Sequence, residues 1–168
     1  DAIMRVHLRG HFCVCRHACA WWRDRSKAGE RVSGRIVNTS SGAGLQGSVG
    51  QSNYAAAKAG IAALTLVQAV ELARYGITAN AIAPSARRRL TENVFPDMMR
   101  KPESGFDVMD PSNIAPLVAW LCSEESGDVT GRVFEVEGGK ISVADGWRAG
   151  PAIDRGGRWN PDDIGDAV

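Results

Sequence analysis

The first twenty-two residues carry apolar side chains at helical intervals. The positions that recur every three or four residues are Ile3, Met4, Val6, Leu8, Phe12, Val14 and Ala18. This period is that of an amphipathic helix, so the pattern predicts a helix over 1–22. The following stretch, 23–34, is charged and contains glycine, which is typical of a solvated connection between elements.

Three short runs are typical of buried strands. They are "RIVNTS" at 35–40, "ITANAIAP" at 77–84 and "GRVFEVEGG" at 131–139. Short runs rich in β-branched and other apolar residues, bounded by glycine or proline and without alternation, predict strands that are covered on both faces. We therefore expect three strands, the second of them stopped by Pro84.

A long apolar segment lies between the first two strands and predicts a helix over 52–75. Ser52 or Asn53 is expected to cap its start, and Gly76 to end it. Its apolar residues go nearly all the way round, so the helix needs cover on more than one side. A sheet supplies one cover and a second subunit the other, which predicts a homo-oligomer formed through helices 1–22 and 52–75.

Strands and helices alternate along the chain, with a further helix predicted over 111–126. This alternation implies an α/β fold with a parallel sheet and right-handed crossovers. The segment 85–109 is basic and interrupted by prolines, and we expect it to be a mobile loop with short helical pieces. We assign residues 1–144 to a partial catalytic domain and residues 145–168, which lack periodicity, to a carboxyl-terminal extension.

Composition narrows the classes of function. The chain has 168 residues and a net charge of +1, so nothing favours a polyanion such as nucleic acid as its partner. Four cysteines are too few for a disulfide scaffold, which favours a reducing, cytoplasmic setting. The apolar stretches fall short of the roughly 18 residues that a bilayer requires, so no spanning helix and no membrane partner are expected.

Polar residues gather where the predicted strands end. Ser41 follows the first strand, and Tyr54 and Lys58 lie one helical turn apart in the helix after it. An ordinary phenol has a pKa near 10, and an ammonium beside it stabilises the phenolate, which makes the phenol a usable proton donor and acceptor. This set suits proton transfer coupled to hydride transfer at a secondary alcohol or ketone, with Ser41 holding the substrate oxygen. A chance pair on a solvated helix face is the alternative.

Several motifs in register resemble the short-chain dehydrogenase/reductase family. Ser41 precedes Tyr54 by thirteen residues, which is the family's interval between its serine and its Tyr-x-x-x-Lys motif. "GRIVNTSS", "NYAAAKAG", "NAIAP" and "VTGRVFEVEGG" match its strands and helix in order. The likeness covers residues 1 to about 145 and extends to the branch of (3R)-hydroxyacyl-CoA dehydrogenase domains of peroxisomal multifunctional enzymes and their bacterial relatives.

The resemblance implies a Rossmann-like doubly wound sheet and NAD or NADP as the cofactor. It implies Tyr54 as the proton donor or acceptor, Lys58 as the residue that binds the nicotinamide ribose, and Ser41 as the residue that orients the substrate. Pro84, Ser85 and Ala86, after the second strand, are the expected contacts for the nicotinamide. The expected substrate is a small molecule, in the closer branch an acyl-CoA.

Two features depart from the family's pattern. Many members carry an asparagine on the first helix that completes a proton relay, where this chain has His7. His7 is therefore a candidate catalytic residue, with a packed structural histidine as the alternative. The glycine-rich phosphate loop and the strands before it do not appear, so we expect an amino-terminally truncated chain that begins inside a helix.

Other clusters have two interpretations. Cys13, Cys15, Cys19 and His17 could suggest a metal, but inert thiols explain them better and no metal site is predicted. Arg87, Arg88 and Arg89 are a solvated run or a contact for coenzyme A phosphates. Trp147 and Trp159 either pack over the substrate entrance or anchor the extension. The alternative to an oxidoreductase is an inert chain that serves only in subunit association.

Overall fold

The computed structural model describes residues 1–87, 97 and 99–167. Three helical elements come first: α1 (Ala2–Met4), a π turn (Arg5–Arg9) and α2 (Gly10–Lys27). Next come β1 (Gly34–Thr39), α3 (Gly42–Gln46), α4 (Ser52–Leu72), a 3-10 turn (Ala73–Tyr75) and β2 (Ile77–Ser85). The remaining elements are a 3-10 turn (Pro111–Ile114), α5 (Ala115–Leu121), β3 (Val133–Glu137), β4 (Lys140–Val143) and α6 (Pro161–Ala167).

The sheet has the order β1-β2-β3-β4. The three predicted strands are present and parallel to one another. β4 pairs with β3 in the antiparallel sense and was not predicted, so the sheet is mixed rather than wholly parallel. Gly138 and Gly139 connect β3 and β4 as the two-residue loop of a hairpin. A Gly-Gly pair is one of the sequence signals of such a turn.

Helices cover both faces of the sheet, as the doubly wound α/β class predicts. On one face Ile36 of β1 and Ile77 of β2 pack with Cys15 of α2 and Leu72 of α4. On the other face Ile82, Phe134 and Val136 pack with Leu117 and Leu121 of α5. Consecutive β1 residues contribute to opposite clusters, because strand side chains alternate between faces.

The first helix is longer than predicted and is not uniform. It extends into the predicted connection 23–34 and ends at Lys27. The π turn interrupts it at Arg5–Arg9. Such single-turn π segments are often found at functional sites. The turn lies across from α4, with Leu8 packed over Gly60.

The capping prediction for α4 is wrong, and the prediction of its end is confirmed. Gln51 is the N-cap and makes no side-chain capping bond, so Ser52 and Asn53 lie inside the first turn. Gly76 follows the 3-10 turn with a φ of 74°, a left-handed conformation that glycine adopts without strain. A side chain at Gly76 would also meet the Val32 carbonyl oxygen.

The second strand does not stop at Pro84 as predicted but continues to Ser85. Ile82 accepts a hydrogen bond from the Ser40 amide on the β1 side, whereas Ala81 donates to Arg132 on the β3 side. Alternation along the strand therefore directs the missing N–H of Pro84 toward β1, which has already ended. No ladder bond is lost, which explains why proline is tolerated at this position.

Two further predicted elements are shorter than expected. The helix predicted over 111–126 ends at Leu121, where the Ser126 hydroxyl donates to the Leu121 carbonyl oxygen at 3.0 Å. Serine side chains that bond to backbone carbonyls compete with helix continuation. The strand predicted over 131–139 narrows to β3, because Gly131 and Gly138 flank it with φ values of 68° and 52°.

The extension contains one helix, α6, which the sequence analysis did not predict. Trp147 is fully exposed, whereas Trp159 is partly covered and has the Arg155 guanidinium 5.8 Å from its ring centroid. Neither tryptophan lies in the cleft described below. The domain boundary at residue 144 stays a prediction.

The long apolar helix also bears on the membrane prediction. Ser52–Tyr75 is long and apolar enough to cross a membrane by length and composition, with a mean hydropathy of 1.4, and the sequence analysis did not anticipate this. The core helix of a globular protein meets the same criterion, and α4 packs a row of buried residues against the sheet. The absence of a membrane partner stays a prediction.

Gly44 of α3 lies close to the backbone of α4, so adding a single methyl group at this position should affect stability. A Cβ at Gly44 would lie 2.6 Å from the Ala59 amide nitrogen and 2.7 Å from the Lys58 carbonyl carbon. These atoms are backbone and cannot rotate away, so we expect Gly44→Ala to destabilise the fold by about 1–3 kcal/mol through overpacking.

Gly42→Ala is the matched control, because nothing lies within 4 Å of a Cβ at that helical position. It should be neutral or slightly stabilising, since alanine favours helix by up to about 1 kcal/mol over glycine. Urea unfolding of both variants measures the difference. Equal midpoints would mean that α3 does not depend on this contact.

Candidate active site

Tyr54 and Lys58 lie in the first two turns of α4 and face the same way. The Lys58 ammonium is 5.6 Å from the centroid of the Tyr54 ring. Lys58 is only 5% exposed, whereas Tyr54 is half-buried and open to solvent on one side. The structure therefore brings together the two residues that the sequence spacing predicts to be neighbours.

The end of β1 holds Lys58 from two directions. The Lys58 ammonium donates to the Thr39 carbonyl oxygen at 2.8 Å, and the Ser40 hydroxyl donates to the Lys58 carbonyl oxygen at 2.8 Å. A buried ammonium is costly without acceptors, so the Thr39 oxygen stabilises the charged form. Both the backbone and the side chain of Lys58 are thus fixed relative to the strand.

Ser41 caps the start of α3, a short helix that was not predicted from the sequence. Its hydroxyl oxygen accepts a hydrogen bond from the Ala43 amide at 3.3 Å, which makes Ser41 the N-cap. A hydroxyl has two acceptor positions and one donor hydrogen. The capping bond uses one acceptor position and leaves the hydrogen to be donated to another oxygen.

The glycines of α3 match a dinucleotide-binding spacing but have another explanation. Gly42, Gly44 and Gly47 form a G-x-G-x-x-G pattern directly after β1. The middle glycine permits the close approach of α3 to the backbone of α4, and Gly47 has a φ of 81° at the end of the helix. Helix packing and a turn therefore account for Gly44 and Gly47.

His7 lies in the π turn and contacts the ring of Tyr54. The two rings meet edge to face, with centroids 5.4 Å apart. Burial lowers the pKa of His7 below its ordinary value, and the charge of Lys58 lowers it further. His7 is therefore neutral at neutral pH and can both donate and accept a proton.

His11 is a member of this group that the sequence analysis missed. Its Nδ1 lies 2.7 Å from the His7 carbonyl oxygen, and its Nε2 lies 3.4 Å from the Thr39 amide nitrogen. The i, i+4 spacing from His7 was the available signal, because it places both rings on one face of a helix.

A cleft of about 480 Å³ opens at the carboxyl edge of the sheet. Ser41, Pro84 and Ser85 line it, together with the β3 residues Glu135 and Glu137. In open α/β sheets ligands bind at this edge. Tyr54 and Lys58 are not among the described residues that line the cleft; Lys58 is bonded to Thr39 and Ser40, which directly precede Ser41 of the lining.

Two residues that follow β2 are less open than the sequence suggested. Ala86 is buried and is not among the lining residues of the cleft in the described part of the chain. Arg87 forms an ion pair with Asp107 at 2.8 Å, and its hydrogen bond lowers the pKa of that carboxyl. Arg87 is therefore not a freely solvated cation, and Arg88 and Arg89 lie outside the described residues.

The cysteines form no disulfide. All four are free, with Cys15 buried against Asn38 at 3.5 Å and Cys19 half-buried. Burial raises the pKa of the Cys19 thiol, which disfavours the thiolate that a metal requires. Among residues 1–87, 97 and 99–167 no group of three or more metal-ligating side chains exists, and the prediction of no metal stays a prediction.

The protein-family model described as enoyl-(acyl carrier protein) reductase matches residues 1–140. A crystal structure of a short chain dehydrogenase from Mycobacterium avium superposes with a TM-score of 0.88 at 62% identity, over 99% of this chain and 54% of that chain. The chain belongs to the short-chain dehydrogenase/reductase family.

This short-chain dehydrogenase/reductase is similar to curated proteins, one of which is named as a hydroxyacyl-CoA dehydrogenase. A hydroxyacyl-CoA dehydrogenase of Mycobacterium tuberculosis is 46% identical over 98% of this chain and 53% of its own length. The mouse peroxisomal multifunctional enzyme type 2 is 44% identical over 84% of this chain and 17% of its own length. The chain thus spans about half the length of the first relative and less of the second.

The residues of this short-chain dehydrogenase/reductase fit the reactive end of a nicotinamide cofactor. Ser41 and Ser85 line the cleft, and the buried Lys58 ammonium is held by the Thr39 carbonyl oxygen, two residues before Ser41. Such an arrangement suits a polar ribose and a carboxamide.

The surroundings of His7 predict how the protonation of its imidazole depends on pH. The His7 imidazole should titrate below the ordinary value of about 6.5. As the pH falls through about 6.5, the unfolded state binds the proton before the folded state does. His7 therefore lowers the free energy of unfolding in acid, and it has no such effect at higher pH. Nuclear magnetic resonance titration of the imidazole carbon-bound protons measures this midpoint.

Lys58→Met should move the His7 midpoint back toward 6.5 but not fully, because desolvation is the larger cause and remains. Lys27→Met makes the same chemical change at the exposed end of α2 and should leave the midpoint unchanged. An unmoved midpoint in Lys58→Met would show that the Lys58 charge does not act on His7.

Proposed function

We propose that the protein is an NAD- or NADP-dependent oxidoreductase that interconverts a secondary alcohol and a ketone, with a hydroxyacyl thioester as its substrate. The observation that carries this proposal is that the Tyr54 ring contacts both the buried Lys58 ammonium and the neutral His7 ring. Family membership and the hydroxyacyl-CoA dehydrogenase among the relatives support it.

Tyr54 is the proposed catalytic acid and base. In the direction of reduction its hydroxyl gives a proton to the ketone oxygen, and in the direction of oxidation the phenolate takes the proton from the alcohol. The bound nicotinamide supplies or accepts the hydride. The Ser41 hydroxyl donates its hydrogen to the same substrate oxygen. That hydrogen is available because the Ala43 amide bonds to the hydroxyl oxygen as a donor.

Lys58 and His7 have complementary proposed roles around the phenol. The Lys58 charge stabilises the phenolate, and its ammonium, fixed by the Thr39 oxygen, would hold the ribose of the cofactor. His7 is neutral, so it can return a proton to the phenol without first losing one to solvent. Pro84 and Ser85 would face the nicotinamide from the cleft, and Ala86 would support them from its buried position.

The thioester substrate is proposed from the relatives and the shape of the cleft. The cleft is open to solvent and bordered by β3, so an elongated acyl chain could enter along the edge of the sheet. The four free thiols are compatible with a reducing compartment, and we place the enzyme in the cytoplasm.

Removal of one hydroxyl tests the reaction. Tyr54→Phe should lower kcat/KM for NADH- or NADPH-dependent reduction of a 3-ketoacyl-CoA by about 10²-fold or more, because general acid catalysis is lost. Tyr75→Phe makes the same change on the 3-10 turn that follows α4 and should leave the rate within about twofold of wild type.

The assay uses the full-length gene product, and unfolding midpoints of both variants confirm that each is folded. A folded Tyr54→Phe protein that retains wild-type kcat/KM would remove the proton-transfer role of Tyr54. An absence of turnover in wild type and variants alike would favour the inert alternative.

The proposed enzyme is also a homo-oligomer formed through α2 and α4. The outer face of α4 carries Leu66, Val67 and Val70, the last of them 83% exposed. α2 adds Phe12, which is exposed as well and lines a groove together with Val67. Contiguous apolar side chains on neighbouring helices are typical of a protein–protein interface. A second copy is the occupant that the α4 sequence predicts, since the sheet covers only one of its faces.

A charge on the α4 face tests this association. Val70→Glu should shift a dimer or tetramer toward the 18.0 kDa monomer, weakening association about tenfold or more, because the carboxylate would be buried without a partner. Val49→Glu is the control, since Val49 is fully exposed in the loop before α4. Light scattering coupled to size exclusion measures the masses. Equal masses for wild type and Val70→Glu would contradict an α4 interface.

A further inference from the structure

The imidazole of His11 bridges two elements at the candidate active site. Its Nδ1 lies 2.7 Å from the carbonyl oxygen of His7 in the π turn. Its Nε2 lies 3.4 Å from the amide nitrogen of Thr39, the last residue of β1. One side chain thus connects the helix that carries His7 to the strand end that precedes Ser41.

The two contacts determine the protonation of the ring. The Thr39 amide can only donate, so Nε2 must be the acceptor and carry no hydrogen. A carbonyl oxygen can only accept, so Nδ1 must carry the hydrogen. His11 is therefore neutral and in the Nδ1–H tautomer, which satisfies both partners at once; a doubly protonated ring would leave the Thr39 amide without its acceptor.

The π turn explains why the His7 carbonyl is open to a side chain. The Gly10 amide is shared between the Arg5 and His7 carbonyl oxygens, which is the irregular bonding expected at a π segment. A carbonyl oxygen has two acceptor positions. The His11 ring supplies a donor for the second position, from the next turn of the same helix.

The bridge closes a ring of contacts around the phenol. Thr39 binds His11 through its amide and Lys58 through its carbonyl oxygen, at 2.8 Å. Lys58 and His7 each contact the Tyr54 ring. The contacts therefore run from His7 to His11, Thr39, Lys58 and Tyr54 and back to His7.

We propose that His11 is a positioning residue, which holds the π turn against the end of β1 and thereby sets the place of His7 beside Tyr54. The proposal rests on the proposed function, since His7, the group it positions, is proposed to return a proton to the Tyr54 phenol. It assigns no contact between His11 and substrate or cofactor.

Three substitutions at His11 separate its two bonds. His11→Ala removes both. His11→Asn retains a side-chain N–H near the Nδ1 position and can still donate to the His7 carbonyl. His11→Gln places an oxygen near the Nε2 position and can still accept from the Thr39 amide. His17→Ala is the control, because His17 is exposed on the same helix.

The primary measurement is nuclear magnetic resonance of this chain, without ligand. Nitrogen spectra of the wild type should show His11 protonated at Nδ1 and bare at Nε2. The nuclear Overhauser contact between the His7 and Tyr54 rings should be lost in His11→Ala and retained in His17→Ala. His11→Asn should restore it more fully than His11→Gln, because the bond to His7 is the shorter one.

A wild-type hydrogen on Nε2, or an unchanged ring contact in His11→Ala, would overturn the proposal. If His11→Ala does not fold, the comparison of His11→Asn with His11→Gln decides, and equal ring contacts in the two overturn it. None of these readings requires turnover, so they stand apart from the Tyr54→Phe assay.

In the full-length gene product the bridge should act on kcat rather than on KM. We expect His11→Ala to lower kcat by about ten- to a hundredfold with little change in KM, the effect of a catalytic group displaced by a fraction of an ångström to an ångström. A change in KM alone would show that His11 shapes the binding site and would contradict the positioning role. Activity lost in Tyr54→Phe but unchanged in His11→Ala would leave the proposed reaction standing and the positioning role refuted.

Discussion

A buried ammonium must have an acceptor, and this requirement ties the first strand to the helix that follows it. Lys58 is almost wholly buried, and the Thr39 carbonyl oxygen meets its charge. That oxygen is available because Thr39 is the last residue of β1. The Ser40 hydroxyl then fastens the backbone of Lys58 to the same strand end. A displaced strand end would leave a charge buried in an apolar layer, which is far costlier than a lost surface contact.

Small residues let the surrounding elements come close enough to share this strand end. Gly44 allows α3 to lie directly on the backbone of α4, and Gly60 allows Leu8 of the π turn to pack on α4. Tyr54 lies on α4 itself, and Ser41 and His7 lie on α3 and the π turn, which both pack on α4. Rigid helices position such groups more precisely than free loops would, because their backbones are fixed by packing.

Burial also influences the protonation states of Lys58 and His7, which are neighbouring basic groups. Lys58 is cationic and has an oxygen partner, and its charge together with desolvation lowers the pKa of His7. The site therefore holds one fixed positive charge and one neutral ring, both in contact with the Tyr54 ring. Different protonation states in adjacent groups are what proton transfer requires, since a donor and an acceptor must both be present at the working pH.

The sequence by itself determined what depends on neighbours along the chain. The i, i+4 spacing brings Tyr54 and Lys58 together, the short apolar runs form the three parallel strands, and Gly76 ends the long helix. Only the tertiary structure decided the rest. Whether Pro84 stops β2 depends on where β1 ends, the N-cap of α4 is Gln51 despite better capping residues beside it, and His11 acquires a partner twenty-eight positions away. Local periodicity reports the conformation of a segment, but the partner of a side chain or a strand edge is set by elements that are distant in the chain.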